Sequence, residues 1–260
     1  MPEKKNNDYL GVHIGLMNNR ILVEYAGSVY IMDLNGENFN TILKKSELKS
    51  NLKSELKDIK KRFNTHIVRG IKCYNNELYL FLSTLDVFKI NILEGTEFIR
   101  VASGVGSACF YKEQLIYTTY NRENIYSINL KTLDKKKIET GKNFVYYSVL
   151  EVDDCLYYVA SKKGEEPAIY CYSQKKKIYQ LDQNIFKLEY VNNDSNRIFF
   201  ECSRKGDKYS QTFVIVYDLK FSKKHTIAMP SDFNTVEFSI GDIIFYDSLE
   251  SDILGWCKII

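Results

Sequence analysis

The sequence predicts an all-β fold built from repeated antiparallel sheets with one inserted helix, and three observations carry that expectation. First, the aromatic residues are strand-forming ones: 20 Tyr and 15 Phe stand against 1 Trp, with only 3 Pro. Tyr and Phe suit a half-buried pleated surface, and scarce Pro leaves intact the N–H donors that a ladder needs. Second, the pattern apolar-x-x-apolar-Asp/Asn-apolar recurs. It occurs at Val29…Met32-Asp33-Leu34, Val87…Ile90-Asn91-Ile92, Ile125…Ile128-Asn129-Leu130 and Val214…Tyr217-Asp218-Leu219, and more loosely at Ile169…Tyr172-Ser173-Gln174 and Leu254…Cys257-Lys258-Ile259. Third, a polar pair and an apolar-aromatic run precede each copy, the runs starting at Ile21, Leu78, Leu115, Leu156, Ile198 and Ile243. The spacing is about 40 residues, the period of a four-stranded repeat unit, except for a first gap longer by about 20.

Taken in chain order, the first unit ends with Val29–Ile42, "VYIMDLNGENFNTI", which reads as its third strand, a polar turn and a fourth strand. The long gap follows at Lys44–Phe63, "KKSELKSNLKSELKDIKKRF", where Leu48, Leu52, Leu56, Ile59 and Phe63 recur at steps of three and four. That spacing puts the apolar residues on one face of a helix inserted into the repeat. The third unit shows four strand-like runs most clearly, at Ser107–Tyr111, Gln114–Tyr120, Asn124–Leu130 and Lys135–Glu139. The polar pairs Asn76-Glu77, Glu113-Gln114 and Asp154-Cys155 read as hairpin turns, as does the overlapping pair Asp153-Asp154, since Asn and Asp tolerate positive φ. "ASGVGSA" (Ala102–Ala108) lacks the G-x-S-x-G order of a nucleophile elbow and reads as a turn between units. The sixth unit offers only Thr235–Ile240, Asp242–Ser248 and Ile253–Ile259.

A lone four-stranded sheet cannot cover both its faces, so such units stack. The expectation is a six-bladed β-propeller of four-stranded blades, one domain over 1–260. Its blades fall at about 9–43, 66–102, 107–140, 146–182, 186–228 and 233–260, with the helix at 44–63 as an insertion.

The blade pattern Ile125-Tyr126-Ser127-Ile128-Asn129-Leu130, with its polar turn and Lys-rich outer strand, resembles a bacterial, clostridial-type family of β-propellers of unknown function. That family is distantly related to the YWTD propellers of low-density lipoprotein receptors. The resemblance runs from about Tyr9 to Ile260 apart from the insertion, and it brings no catalytic motif. It implies a binding domain, in that family often part of a surface protein. The stretch closest to YWTD, Ile116-Tyr117-Thr118-Thr119, lacks the Trp and the Asp, so the receptors' ligand binding does not transfer.

Charge and composition narrow the function classes. A net charge of +3 from 36 basic and 33 acidic residues argues against nucleic acid as the main partner. No apolar run is long enough for membrane insertion. Six cysteines at 73, 109, 155, 171, 202 and 257 form no C-x-x-C pair and read as thiols within strands, which leans towards a reducing, cytoplasmic setting. The alternative is an extracellular domain of a surface protein. His13, His66 and His225 are dispersed, so neither a metal site nor a cofactor is expected. The recurring Asp33, Asn91, Asn129 and Asp218 are expected to cap the turns that follow them. The Lys runs at 135–137, 175–177 and 223–224 are expected to guard outer edge strands.

The functional expectation is a non-catalytic binding or scaffolding module for a protein or carbohydrate ligand, acting through the longer loops. Candidate binding residues are Tyr120, Arg122, Phe144, Tyr147 and Lys162, chosen as aromatic or basic residues in those loops. The helix at 44–63 is a second candidate docking element. The alternative is a carbohydrate hydrolase, which requires two loop carboxylates facing each other about 5–10 Å apart.

Overall fold

The computed structural model of the chain describes residues 12–17, 20–25, 27–55, 68–91, 97–141, 143–181, 185–193, 197–204, 211–219, 223–230, 233–240, 242–248 and 255–259. They belong to two compact units, Met1–Val105 and Gly106–Ile260.

The first unit holds two four-stranded antiparallel sheets. One is β1 (Val12–Met17), β2 (Arg20–Tyr25), β3 (Ser28–Asp33) and β4 (Asn40–Leu43); the other is β5 (Val68–Tyr74), β6 (Glu77–Leu82), β7 (Val87–Ile90) and β8 (Phe98–Ala102). Between them runs α1 (Lys45–Glu55). Leu22, Val29 and Ile31 from the first sheet meet Ile71, Leu78, Leu80 and Phe88 from the second in one core. Leu48 and Leu52 of α1, both 0% exposed, belong to that same core. The described part of the helical stripe is thus buried on its own unit, and Leu56, Ile59 and Phe63 lie outside the described residues. The helix start is well satisfied: the Lys44 N–H donates to Glu47 Oε2 at 2.8 Å and the Lys45 N–H to Ser28 Oγ at 3.0 Å. An acid three residues into a helix that reaches back in this way also suits the positive end of the helix dipole.

The second unit continues the series with β9 (Val105–Tyr111), β10 (Gln114–Thr119), β11 (Asn124–Asn129) and β12 (Lys135–Thr140). Then come β13 (Phe144–Val152), β14 (Cys155–Lys162), β15 (Ala168–Cys171) and β16 (Lys176–Gln180), followed by β17 (Ile185–Asn193), β18 (Arg197–Arg204), β19 (Gln211–Asp218) and β20 (Lys223–Ala228). The last sheet is β21 (Phe233–Ile240), β22 (Ile243–Ser248) and β23 (Gly255–Lys258). Within this unit each sheet packs on the next. Ile116 and Ile125 meet Tyr146, Val149 and Tyr158; Val159 and Ile169 meet Phe200 and Ile215; and Val214 and Val216 meet Ile244.

Two expectations are corrected. The repeat does not give six four-stranded blades: five blades are complete and four-stranded, and the last sheet has three strands among the described residues. The sixth repeat supplies only three apolar runs, and a sheet holds no more strands than its sequence provides. The helix is described over 11 residues, Lys45–Glu55, and the rest of the expected stretch, 56–63, lies outside the described residues. The hairpin pairs, finally, sit one residue earlier, in the third hairpin on the overlapping pair already expected there. Asn75-Asn76 (φ 50° and 63°), Lys112-Glu113 (45° and 58°) and Asp153-Asp154 (49° and 56°) carry the positive φ. Two consecutive left-handed residues make a type I′ turn, whose twist matches the flanking strands. Glu77, Gln114 and Cys155 are instead the first residues of their strands, Glu77 facing Tyr74 and Cys155 facing Val152 across the ladder.

Other expectations hold. Asn129 Oδ1 accepts from the N–H groups of Lys131 and Thr132 at 2.9 and 3.0 Å, capping the β11–β12 turn. Asp33 differs: among the described residues its carboxylate takes no turn N–H but accepts from two side chains, Arg20 Nε on β2 at 2.9 Å and Asn38 Nδ2 at 2.5 Å. The Lys-rich strands β12, β16 and β20 are sheet edges. Gly104 (φ 68°) turns the chain between β8 and β9. Cys109, Cys171 and Cys202 are buried, Cys73, Cys155 and Cys257 half-buried, and no disulfide joins them.

Candidate functional site

The loop residues nominated from sequence all lie in the second unit, and the structure joins some of them. The β10–β11 turn carries Tyr120 and Arg122; the start of β13 carries Phe144 and Tyr147; Lys162 ends β14.

Arg122 is fixed at its backbone. It occupies the left-handed region (φ 61°), its N–H donates to Thr119 O at 2.8 Å, and its carbonyl accepts from Tyr146 N at 2.8 Å. A non-glycine residue held there stores local strain, a feature that gathers at functional sites. Its guanidinium lies over the Tyr147 ring, 5.1 Å from the ring centre. The Tyr147 hydroxyl is in turn 3.2 Å from Ser161 Oγ on β14.

Tyr147 reaches that position because of a β-bulge. Opposite β14, Tyr146 pairs with Ala160 and Ser148 with Val159, leaving Tyr147 as the extra residue. Regular alternation back from Val149 would place Tyr147 on the Val149 face. With the bulge, Tyr146 joins Val149 in one core and Tyr147 packs against the other, the core of Leu150 and Val159. Re-aiming a side chain in this way is a common use of bulges beside functional sites.

Phe144 and Lys162 sit directly opposite each other across β13 and β14. Phe144 belongs to a cluster of four rings: it lies 6.0 Å from both Tyr146 and Tyr170, Tyr146 lies 5.8 Å from Tyr158, and Tyr158 stacks on Tyr170 at 5.1 Å. Burial pushes the Tyr146 phenol up to about 12, and burial followed by the charge of Glu165 raises Tyr170. These rings therefore stay neutral and serve as a rigid wall. Lys162 faces Glu165 at 3.9 Å, both exposed, so this pair adds little stability. Tyr120 is 67% exposed and Val145, next to Phe144, is 38% exposed. Ser161, Val145 and Asn143, whose carbonyl accepts from Lys163 N at 2.7 Å, lie in the loops 141–147 and 161–167 expected to carry function, but residue type did not single them out.

A cavity of about 290 Å³ lies elsewhere in the second unit, lined by Tyr157, Cys171, Lys176, Lys177, Tyr217 and Leu219 among others. No Asp or Glu stands among its lining residues, so it does not supply the carboxylate pair of a hydrolase. Among the described residues no cluster of His, Cys, Asp and Glu is arranged to hold a metal ion, and no helix is long and apolar enough to cross a membrane.

Solved structures share this architecture. The β-propeller domain of Cps50 (Swd1) from Myceliophteria thermophila is similar at 9% identity and a TM-score of 0.58, over 96% of this chain and 84% of that one. A chain of the mitotic checkpoint complex is similar at 12% identity and 0.57, over 99% and 79%. A chain of the nidogen/laminin complex, a YWTD-type propeller, is similar at 12% identity and 0.52, over 84% and 80%. At these identities the likeness shows the fold alone, and that fold is a β-propeller. Neither a protein-family model nor a curated protein matches the chain.

Proposed function

We propose that the protein is a non-catalytic binding module that engages a protein partner through the loop surface of Tyr120, Arg122, Phe144, Tyr147 and Lys162. The observation that carries this reading is the Arg122 guanidinium seated on Tyr147, in a turn that also carries the exposed Tyr120. Arg and Tyr are the residue types that dominate protein interfaces, because they bring large contact area with little ordering cost. A neutral carbohydrate would use the rings and could accept hydrogen bonds from the guanidinium, but it offers that cation no opposite charge. Propellers of similar fold, in the nidogen/laminin and mitotic checkpoint complexes, are parts of protein assemblies, which agrees with this reading.

Affinity capture with three forms of the chain tests it: wild type, a Tyr120→Ala/Arg122→Ala double variant, and a Leu34→Ala/Leu133→Ala control altering exposed turns elsewhere. Partners lost with the first variant and kept with the control support the surface. Identical captured sets from all three forms overturn it.

A further inference from the structure

We propose that Arg122 is a carboxylate-binding residue, and that the segment it takes from the partner is acidic with a neighbouring apolar side chain. This rests on the loop-surface reading above and names what that surface recognises.

Arg122 differs from the other arginines whose side-chain contacts are described. Arg20 pairs with Asp33 at 2.9 Å, Arg100 with Asp86 at 2.6 Å and Arg197 with Asp242 at 2.6 Å, while Arg69 donates to Val105 O at 2.7 Å. Arg122 has no acid or carbonyl partner for its guanidinium among the described residues. The acids in the same loops are engaged otherwise: Glu123 takes the Asn121 amide at 2.8 Å, and Glu165 faces Lys162 at 3.9 Å. The cation is nonetheless held at both ends, by two backbone hydrogen bonds and by the Tyr147 ring, itself tied to Ser161.

With its Cζ 5.1 Å above the Tyr147 ring centre, the guanidinium touches the ring by one side and keeps N–H donors that match a carboxylate in two parallel hydrogen bonds. Holding the side chain beforehand removes most of the ordering cost of forming them. Lys162 and Lys163 on the neighbouring loop add positive charge, and exposed Tyr120 and Val145 offer a place for an apolar neighbour of the acid.

The test uses the full chain and NMR of the arginine Nε–H groups, with the Arg122 signal identified by its loss in Arg122→Gln. The probes are acetyl-Glu-Phe-Glu-Glu-amide, its neutral counterpart acetyl-Gln-Phe-Gln-Gln-amide, and maltotriose. The acidic peptide is expected to move the Arg122 signal. Its affinity should fall roughly tenfold in Arg122→Lys, which keeps the charge and loses the fork, and similarly in about 0.5 M salt. The proposal is overturned if the neutral peptide moves the signal equally, if only maltotriose moves it, or if about 10 mM acidic peptide leaves it unmoved. An unmoved signal combined with partners lost in the capture experiment removes the carboxylate specificity and leaves the surface standing. A moved signal combined with unchanged capture does the reverse.

Discussion

The stability of the first unit should fall as pH rises, through one buried acid. Glu24 on β2 is 4% exposed, and its Oε1 accepts from the Gly27 N–H at 2.7 Å. Burial pushes its carboxyl from an ordinary 4.5 up to about 7, against the opposing pulls of that hydrogen bond and of the Lys45 charge. The folded chain therefore holds this proton more tightly than the unfolded chain does. The associated stability is fully present below about 4.5, declines as pH rises, and is gone above about 7. At about 1.4 kcal/mol per pH unit of difference the ceiling is about 3.5 kcal/mol, and solvent relaxation around a charged Glu24 brings the expected loss nearer about 2 kcal/mol.

The perturbation is Glu24→Gln, which cannot ionise but keeps an amide oxygen for the Gly27 N–H. Urea unfolding at pH 5 and pH 8.5 gives a loss for each form, and the wild type should lose about 2 kcal/mol more than the variant. Comparing the two losses cancels the histidines and any other group common to both chains. Hydrogen exchange at Gly27 and in the first turn of α1 places the effect in the first unit. Lys45→Met should enlarge the wild-type loss, because its aliphatic stem against Gly27 is kept while the charge that lowers the Glu24 value is removed. Equal pH losses in wild type and Glu24→Gln would refute the reasoning.

Two further substitutions probe the packing. Leu52→Ala removes a side chain that is 0% exposed in the core of the first unit and should cost about 2–5 kcal/mol by thermal unfolding, whereas Leu34→Ala, at 62% exposure, should stay within about 0.5 kcal/mol. Gly106→Ala would set a methyl 2.8 Å from Thr118 Oγ1 and 3.1 Å from the Thr119 carbonyl, where β9 crosses β10 closely; a loss of about 1–3 kcal/mol is expected, read by denaturant midpoint.

The repeat was legible because each unit announces itself twice, and type I′ turns demand residues that tolerate positive φ. The turns were misplaced by one residue because a strand can begin with a polar side chain: Glu77 and Gln114 look like turn residues but belong to the ladder. The uniform four-strand expectation came from the period, which fixes where units start and says nothing of whether each is complete; the three apolar runs of the sixth unit were themselves readable and match its three strands. At the site, residue type and loop position were enough to nominate Arg122 and Tyr147. Their contact was not readable, since they lie on different sheets and meet only through the bulge in β13.

That bulge makes a last prediction possible, because the extra residue is also the functional one. Deleting Tyr147 would leave Tyr146 opposite Ala160 and Ser148 opposite Val159, so each remaining β13 side chain keeps its present partner and face. The sheet should fold with the aromatic cluster intact, at a cost of roughly 1–3 kcal/mol for the lost ring and its cation contact. Arg122 alone should change, losing the upfield ring-current shift on its side-chain protons. NMR contacts between Tyr146 and Tyr158 are the control, since those rings lie 5.8 Å apart on the other face. Their disappearance along with the Arg122 shift would mean that the bulge is needed to hold the sheet and not only to aim Tyr147. Their persistence would separate scaffold from site: regular pairing builds the blade, and one residue outside that pairing supports the cation the loop surface presents.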